Sequence, residues 1–281
     1  MHMSHKDSSP LVVKYGGNAL PVIPSVGAEP RSRGADEVLA SAVRLHKEGR
    51  AVVLVHGGGP EIDRWLTDRN VPTHRIEGLR VTDEVTLEVT EAVLCATINK
   101  RLVRACAALG AKAVGISGED AGTLVARRAF ASNGEDLGYV GEVTHSDPSL
   151  LALLLSNGYL PVVAPLAISE DAANPYNVNA DLAAAAIAGA LHAEAFVMIT
   201  NVRRVLRDVN DPSTAMDTLD LANARAFYDS PQCAGGMRPK MQAAIAAVEA
   251  GAGATYIGAP QDLAATLAGD ATIITPPSSR A

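Results

Sequence analysis

The sequence predicts an open α/β sheet covered by helices on both faces. Three observations predict it. Short apolar runs alternate with segments of helical periodicity along the 281 residues. Two of those runs end in glycine turns. The middle of the chain carries a hairpin-like excursion in place of the eight regular strand–helix units that a closed barrel requires.

LVVKY (11–15) reads as a strand ending in Gly16-Gly17, and AVVLVHGGG (51–59) as a second strand with a glycine turn. Between them, 35–48 reads as a helix whose stripe is Val38, Leu39, Ala42, Val43 and Leu45. Residues 60–69 form another, with Pro60 in its first turn. The segment 83–109 repeats Val85, Val89, Val93, Ala96, Leu102 and Val103 at helical spacing, with a bend or join near Asn99. KAVGIS (112–117) is a strand, 118–145 a hairpin excursion turning at ASNGED, and 149–158 a helix. YLPVVAPLAI (159–168) is strand material broken by Pro161 and Pro165. An alanine-rich helix over 179–192 leads to the buried strand AFVMIT (195–200). Met237, Met241, Ile245 and Val248 mark a helix over 237–250 that Gly251 stops. Short strands at 254–259 and 271–275 flank a small helix near 262–268.

Hydrophobic residues are 48% and charged residues 20%, enough for a sizeable core, and the length allows about two domains. A net charge of -7 argues against broad nucleic-acid binding while leaving room for a local basic cleft, and aromatics at 4% supply no stacking platform. Cys95, Cys106 and Cys233 form no C-x-x-C pair, which suits a reducing cytoplasm. The polar start MHMSHKDSSP lacks the apolar centre of a secretion signal. No apolar run approaches the roughly 20 residues of a membrane span. The expected setting is cytoplasmic, without nucleic-acid or membrane partners.

Lys14-Tyr15-Gly16-Gly17-Asn18 and His56-Gly57-Gly58-Gly59-Pro60 both follow strands. Glycines let backbone N–H groups approach an anion, and Lys14 adds a full charge, so each run is either an anion nest or a sharp turn. Neither matches G-x-G-x-x-G or G-x-x-x-x-G-K-[ST]. Lys240 stands in the first turns of the last long helix, where a cation is electrostatically disfavoured. Asn177 or Asn179 would cap the helix that carries Asp181 in its first turn, unless they bind a polar ligand. Arg80 would clamp a carboxylate or lie in solvent, and Thr82 or Asp83 would cap the next helix. The seven histidines have no metal-ligand spacing, only His56 sits in a glycine loop, and there is no G-x-S-x-G nucleophile elbow.

Taken in order, VVKYGGNA (12–19), VVLVHGGGPEID (52–63), EGLRVTDEVTLEV (77–89), INKRLV (98–103), AVGISGEDAG (113–122), LGYVGEV (137–143), LLLSNGYLPVVAPL (153–166), NVNAD (177–181) and GGMRPKM (235–241) resemble the acetylglutamate kinase branch of the amino acid kinase family. The resemblance spans nearly the whole chain. It implies a three-layer αβα sandwich around a mainly parallel eight-stranded sheet. Residues 1–192 would form an N-terminal lobe that binds the acylated amino acid and dimerises, and 193–281 a C-terminal lobe that binds ATP. The implied reaction phosphorylates the side-chain carboxylate of N-acetyl-L-glutamate in arginine biosynthesis, with ATP as co-substrate and Mg2+ bound to it. It implies Lys14, Lys240 and Asp181 as catalytic residues. Gly17, Gly57, Gly58, Arg80, Asn177 and Asn179 would line the acid site. Gly16, Gly17, Thr200, Asn201, Leu206, Gly236, Met237 and Lys240 would meet the nucleotide. No metal ligand from protein side chains is implied.

The chain departs from the family pattern after strand 195–200, where Asn201 replaces an Asp and Arg204 stands at the usual Gly. A G-T-x-I ending is missing, and PVIPSVGAEPRSRG (21–34) is unusual. Lys14 lies too near the start for the N-terminal helix of arginine-inhibited hexameric relatives, so a homodimer without strong arginine feedback is expected. A kinase of N-acetyl-aminoadipate or carrier-linked aminoadipate in lysine biosynthesis, and a weakly active or inactive amino-acid- or nucleotide-binding sensor, are the alternatives.

Overall fold

The computed structural model describes residues 9–16, 33–259 and 263–277, with the side chains of 33–36 excepted. The main sheet has eight strands: β1 (Leu11–Tyr15), β2 (Val52–His56), β5 (Ala113–Ser117), β8 (Leu160–Ala164), β11 (Ala195–Ile199), β12 (Thr218–Asp220), β13 (Thr255–Gly258) and β14 (Thr272–Thr275). Their order is β12-β14-β13-β11-β1-β2-β8-β5. Only β13 against β14 is antiparallel, so the expected mainly parallel eight-stranded sheet is present.

Strand β1 lies fully buried between β11 and β2, and the two faces of the sheet carry separate cores. Leu11, Val13 and Tyr15 pack with α1 (Arg33–Lys47), α2 (Gly59–Asp68), α4 (Asn99–Ala108) and α9 (Leu263–Leu267). Val12 packs with α5 (Ser149–Ser156), α6 (Ala180–Ala190), α7 (Leu221–Asp229) and α8 (Met237–Glu249). This is the three-layer sandwich, and it follows from near-continuous apolar strands that must be covered on both sides. Because side chains alternate along a strand, Lys14 emerges on the same face as Val12, toward α6 and α8.

The helical pattern of 83–109 resolves into α3 (Glu84–Glu91), a π-helical stretch Ala92–Ile98 and α4, so the expected join at Asn99 is real. Asp83, not Thr82, caps α3 by accepting from Thr86 N. The excursion is richer than a hairpin. The antiparallel pair β6 (Val125–Phe130) and β7 (Asp136–His145) closes with β9 (Leu166–Ser169) and β10 (Pro175–Val178) into a small barrel. The expected break at Pro161 does not occur. It sits second in β8, near the strand start, where its missing N–H is tolerated, and only Pro165 separates β8 from β9. Sequence patterning leaves 201–230 unassigned, yet β12 and α7 form there, the helix capped by Asp220. A second small hairpin, β3 (Arg75–Ile76) and β4 (Leu79–Arg80), turns through Glu77 (φ 52°) and Gly78 (φ 83°). Ile76, Leu79 and Val81 pack it against Leu137 and Val140 of the barrel. No helix among the described residues is long and apolar enough to cross a membrane.

Candidate active site

Parallel strands carry ligand sites at their carboxyl ends, where chain connections diverge to opposite sides. Strand β1 is that place: β2 follows it in sequence on one side, and β11 lies on the other. A cleft of about 380 Å3 opens there, lined by Lys14, Gly57, Gly58, Arg80, Asn177, Asn179, Asp181 and Lys240 among others.

Asp181 sits in the first turn of α6 and is 5% exposed. Lys14 Nζ lies 2.8 Å from its Oδ1, and Lys240 Nζ lies 3.1 Å from its Oδ2. Burial alone would push the Asp181 carboxyl up. The two ammonium groups outweigh burial and hold it below the usual carboxylate range. One carboxylate therefore fixes two lysines that are 226 positions apart. Gly16 makes room for this arrangement: a Cβ there would sit 2.9 Å from Lys14 Nζ.

At the start of α2, Gly58 and Gly59 present N–H groups with no partner among the described residues, at the positive end of a helix. Gly57 also lines the cleft, and its N–H donates to Tyr15 O at 3.1 Å. A Cβ at Gly58 would meet the side-chain ends of Leu94 and Ile98 at 2.6 Å, so a larger residue there would displace them. Gly17 lies outside the described residues.

Arg80 is 6% exposed, so its head is buried and not solvated. Its guanidinium donates to Gly59 O at 3.2 Å and, by a short contact, to Asp63 of α2. Arg75, its cross-strand partner, donates to the other Asp63 oxygen at 3.1 Å and also lines the cleft. Partial burial raises the Asp63 carboxyl, but the two arginines outweigh that and leave it below its ordinary value. Asn177 Nδ2 donates to Thr82 Oγ1 at 3.2 Å, and Thr82 Oγ1 donates to Arg80 O at 2.8 Å, which ties barrel and hairpin together. Asn179 is the helix cap: its Oδ1 accepts from Asp181 N at 2.8 Å and Leu182 N at 3.3 Å. That leaves its amide nitrogen for a ligand. Sequence reasoning missed Asp63 and Arg75 and read Thr82 only as a candidate helix cap. Asp63 and Thr82 lay inside quoted motifs, but nothing in their spacing marked either as part of the acid site.

The expected nucleotide residues fall along the same edge of the sheet. Thr200 follows β11 and donates its N–H to Gly258 O at 2.8 Å, with Asn201 beside it. Leu206 bridges to Ala215, closing the loop that returns to β12. Arg204, at the departure from the family pattern, is partly exposed and does not line the cleft. It pairs with Asp217 at 3.0 Å and donates to Gly269 O at 3.1 Å. A second cleft of about 410 Å3 lies beside this loop, with Arg207, Met216, Leu219 and Phe227 in its wall. Gly236 and Met237 begin α8, whose first turn holds no acidic residue to oppose an anion. The described residues contain no cluster of three or more His, Cys, Asp or Glu side chains placed to hold a metal. Cys95 and Cys106 are pushed up to about 12 by burial and are poor nucleophiles.

Such an arrangement can hold a highly charged phosphate between two fixed ammoniums and free backbone donors, with arginines further along to grip a carboxylate. Comparison with known proteins agrees. The profile described as the amino acid kinase family matches residues 9–258. The acetylglutamate kinase of Carboxydothermus hydrogenoformans is 38% identical over 254 residues, covering 88% of this chain and 83% of the relative. That of Thermoanaerobacter sp. (strain X514) is 40% identical over 247 residues, covering 88% and 79%. Among solved structures, the N-acetylglutamate synthase from Neisseria gonorrhoeae, complexed with coenzyme A and N-acetyl-glutamate, superposes with a TM-score of 0.76 at 24% identity. That match covers 95% of this chain but 59% of the synthase, and it speaks for the fold alone.

Proposed function

The chain belongs to the amino acid kinase family, and we propose that it transfers the γ-phosphoryl group of ATP to the side-chain carboxylate of N-acetyl-L-glutamate, giving N-acetyl-L-glutamyl 5-phosphate. The observation that carries the reading is Asp181 gripping both Lys14 and Lys240 beside the unpaired N–H groups of Gly58 and Gly59.

The acceptor is already a carboxylate at neutral pH, so no general base is required. One of its oxygens attacks the γ-phosphorus in line. A C–O–P anhydride bond forms as the bond from phosphorus to the β–γ bridging oxygen breaks, and that oxygen leaves on ADP. No proton need move. Catalysis is then positioning and charge stabilisation, which two lysines and aimed amides supply. Arg80 and Asn177 would hold the α-carboxylate end of the acid. Mg2+ would ride on the nucleotide phosphates, because both Asp181 oxygens are engaged by lysines. The cleft is positively lined although the whole chain carries -7, so a local field, not net charge, would attract two anionic substrates.

In this reading 1–192 supplies the acid site and 193–281 the nucleotide site, with the base toward the cleft beside Met216 and Phe227. The loop from β11 to β12 supports that placement, since it lies on the same sheet edge as Lys14. The reading also includes a homodimer in the cytoplasm. Exposed Leu109 and Tyr159, near the outer end of the sheet at β5, are consistent with a covered surface.

The test is an ATP-dependent acyl-phosphate assay trapped with hydroxylamine, comparing N-acetylglutamate, N-acetylaminoadipate, free glutamate and aspartate. Turnover with N-acetylglutamate is expected to dominate. Preference for the longer acid would overturn the substrate, and no turnover with any acid would overturn the reaction.

A further inference from the structure

One buried polar pair beneath the glycine turn plays no part in the chemistry above. His56 ends β2 with 0% exposure, and its Nδ1 lies 3.0 Å from Gly57 O. A carbonyl only accepts, so Nδ1 carries the proton and Nε2 presents its lone pair. Asn99 Nδ2 lies 3.3 Å from that Nε2. The orientation of the Asn99 amide is itself fixed. Its nitrogen faces Val162 O at 2.8 Å and Ile116 O at 3.2 Å, both acceptors, and its Oδ1 accepts from Lys100 Nζ at 3.2 Å. Two amide hydrogens are shared among three acceptors, and none of those acceptors tolerates the flipped amide. Gly115 keeps the space open, since a Cβ there would fall 1.9 Å from Asn99 Oδ1. Burial lowers His56 to about 4, so the ring is neutral at any ordinary pH.

The consequence lies one bond further on. The Gly57–Gly58 peptide is a planar trans unit, so its C=O and its N–H point in opposite directions. With the Gly57 carbonyl drawn back onto the His56 ring, the Gly58 N–H is turned away from it. Gly58 lines the cleft, and its N–H has no partner among the described residues. We infer that His56, held in its Nδ1–H form by Asn99, is a positioning residue that aims the Gly58 N–H at the phosphoryl oxygens during transfer. The inference rests on the kinase reading of the cleft. It adds to that reading a reason for the direction in which the Gly58 N–H points.

Three substitutions in the full chain separate aiming from packing. The amide nitrogen of Asn overlays imidazole Nδ1, whereas that of Gln overlays Nε2. His56→Leu is expected to lower kcat about 100-fold while both KM values change less than about threefold, the pattern of a donor that acts mainly in the transition state. His56→Asn should recover to within about tenfold of wild type, and His56→Gln should behave like His56→Leu. A readout independent of turnover is 15N NMR of the imidazole in the wild-type protein, expected to show a protonated Nδ1 and a bare Nε2 between about pH 5.5 and 8. Equal losses in all three variants that track their melting temperatures would overturn the inference, as would the opposite tautomer. If the wild type phosphorylates none of the acids, the kinase reading fails instead, and the tautomer measurement still decides the His56 arrangement.

Discussion

Asp181→Asn is the most informative perturbation of this cleft, because two opposing effects can be sized from the structure. The substitution keeps the shape but removes the charge that holds Lys14 at 2.8 Å and Lys240 at 3.1 Å. Removing one partner of a buried ion pair costs about 3–5 kcal/mol of stability. The lower end applies here, since Lys240 keeps 22% of its side chain exposed and can relax toward water. On catalysis the first effect is loss of aim. A misdirected cation no longer meets the charge that develops in flight, and one such loss costs roughly 100-fold in kcat. The second effect runs the other way: deleting an anion about 5 Å from a phosphate relieves about 3 kcal/mol of repulsion at an effective dielectric of 20. That relief is felt equally by bound ATP and by the transition state, so it lowers KM without raising kcat. Asp181→Asn should therefore show kcat down about 100-fold with KM for ATP unchanged or lower. Thermal unfolding with and without sulfate gives a second measure. The variant should melt lower than wild type in sulfate-free buffer and gain more from sulfate, which replaces the missing anion. A kcat equal to wild type, or a KM for ATP that rises in step with the fall in kcat, would refute the reasoning.

Arg80→Ala should raise KM for the acid about 30-fold, roughly 2 kcal/mol for a lost charge-assisted contact, with KM for ATP unmoved in steady-state kinetics. Gly58→Ala should destabilise by about 1–3 kcal/mol in urea titration, because the new methyl would enter the space of Leu94 and Ile98. Asn179→Ala should cost about 1 kcal/mol for the lost cap, and a KM for the acid that stays level would assign the residue to capping alone. Glu119 sits half-buried near Glu91, and burial first, then that neighbouring charge, raises its carboxyl above the ordinary 4.5. The folded state thus binds this proton more tightly than the unfolded chain, so its contribution is present at acid pH and lost as pH rises through the raised value. Glu119→Gln should accordingly raise the melting temperature at pH 8 while leaving it nearly level at pH 4.

The glycine runs after β1 and β2 were legible as chemistry because backbone conformation is local: glycine after a strand reads the same in sequence and in space. Helix periodicity likewise placed α1, α2 and α8 within a residue or two, and the apolar runs gave the strands. What the linear chain left open was partnership. Asn177 and Asn179 were equal candidates for the cap, and only the hydrogen bonds of Asn179 to α6 chose between them. Gly57 and Gly58 looked interchangeable until the N–H of one was found bonded to Tyr15 O. Asp63 carried no signal at all, because an acidic residue on a helix is normally solvated. Its role appears only when the β3–β4 hairpin brings two arginines to its two oxygens.

By itself, the sequence determined that this chain forms an open α/β sheet with anion-ready turns at its strand ends, since periodicity and glycine conformation depend on near neighbours. The meeting of Lys14, Asp181 and Lys240 was decided by tertiary structure alone. Strand alternation turns Lys14 toward the face that α6 and α8 cover, and only packing those two helices together brings their first turns onto the same carboxylate.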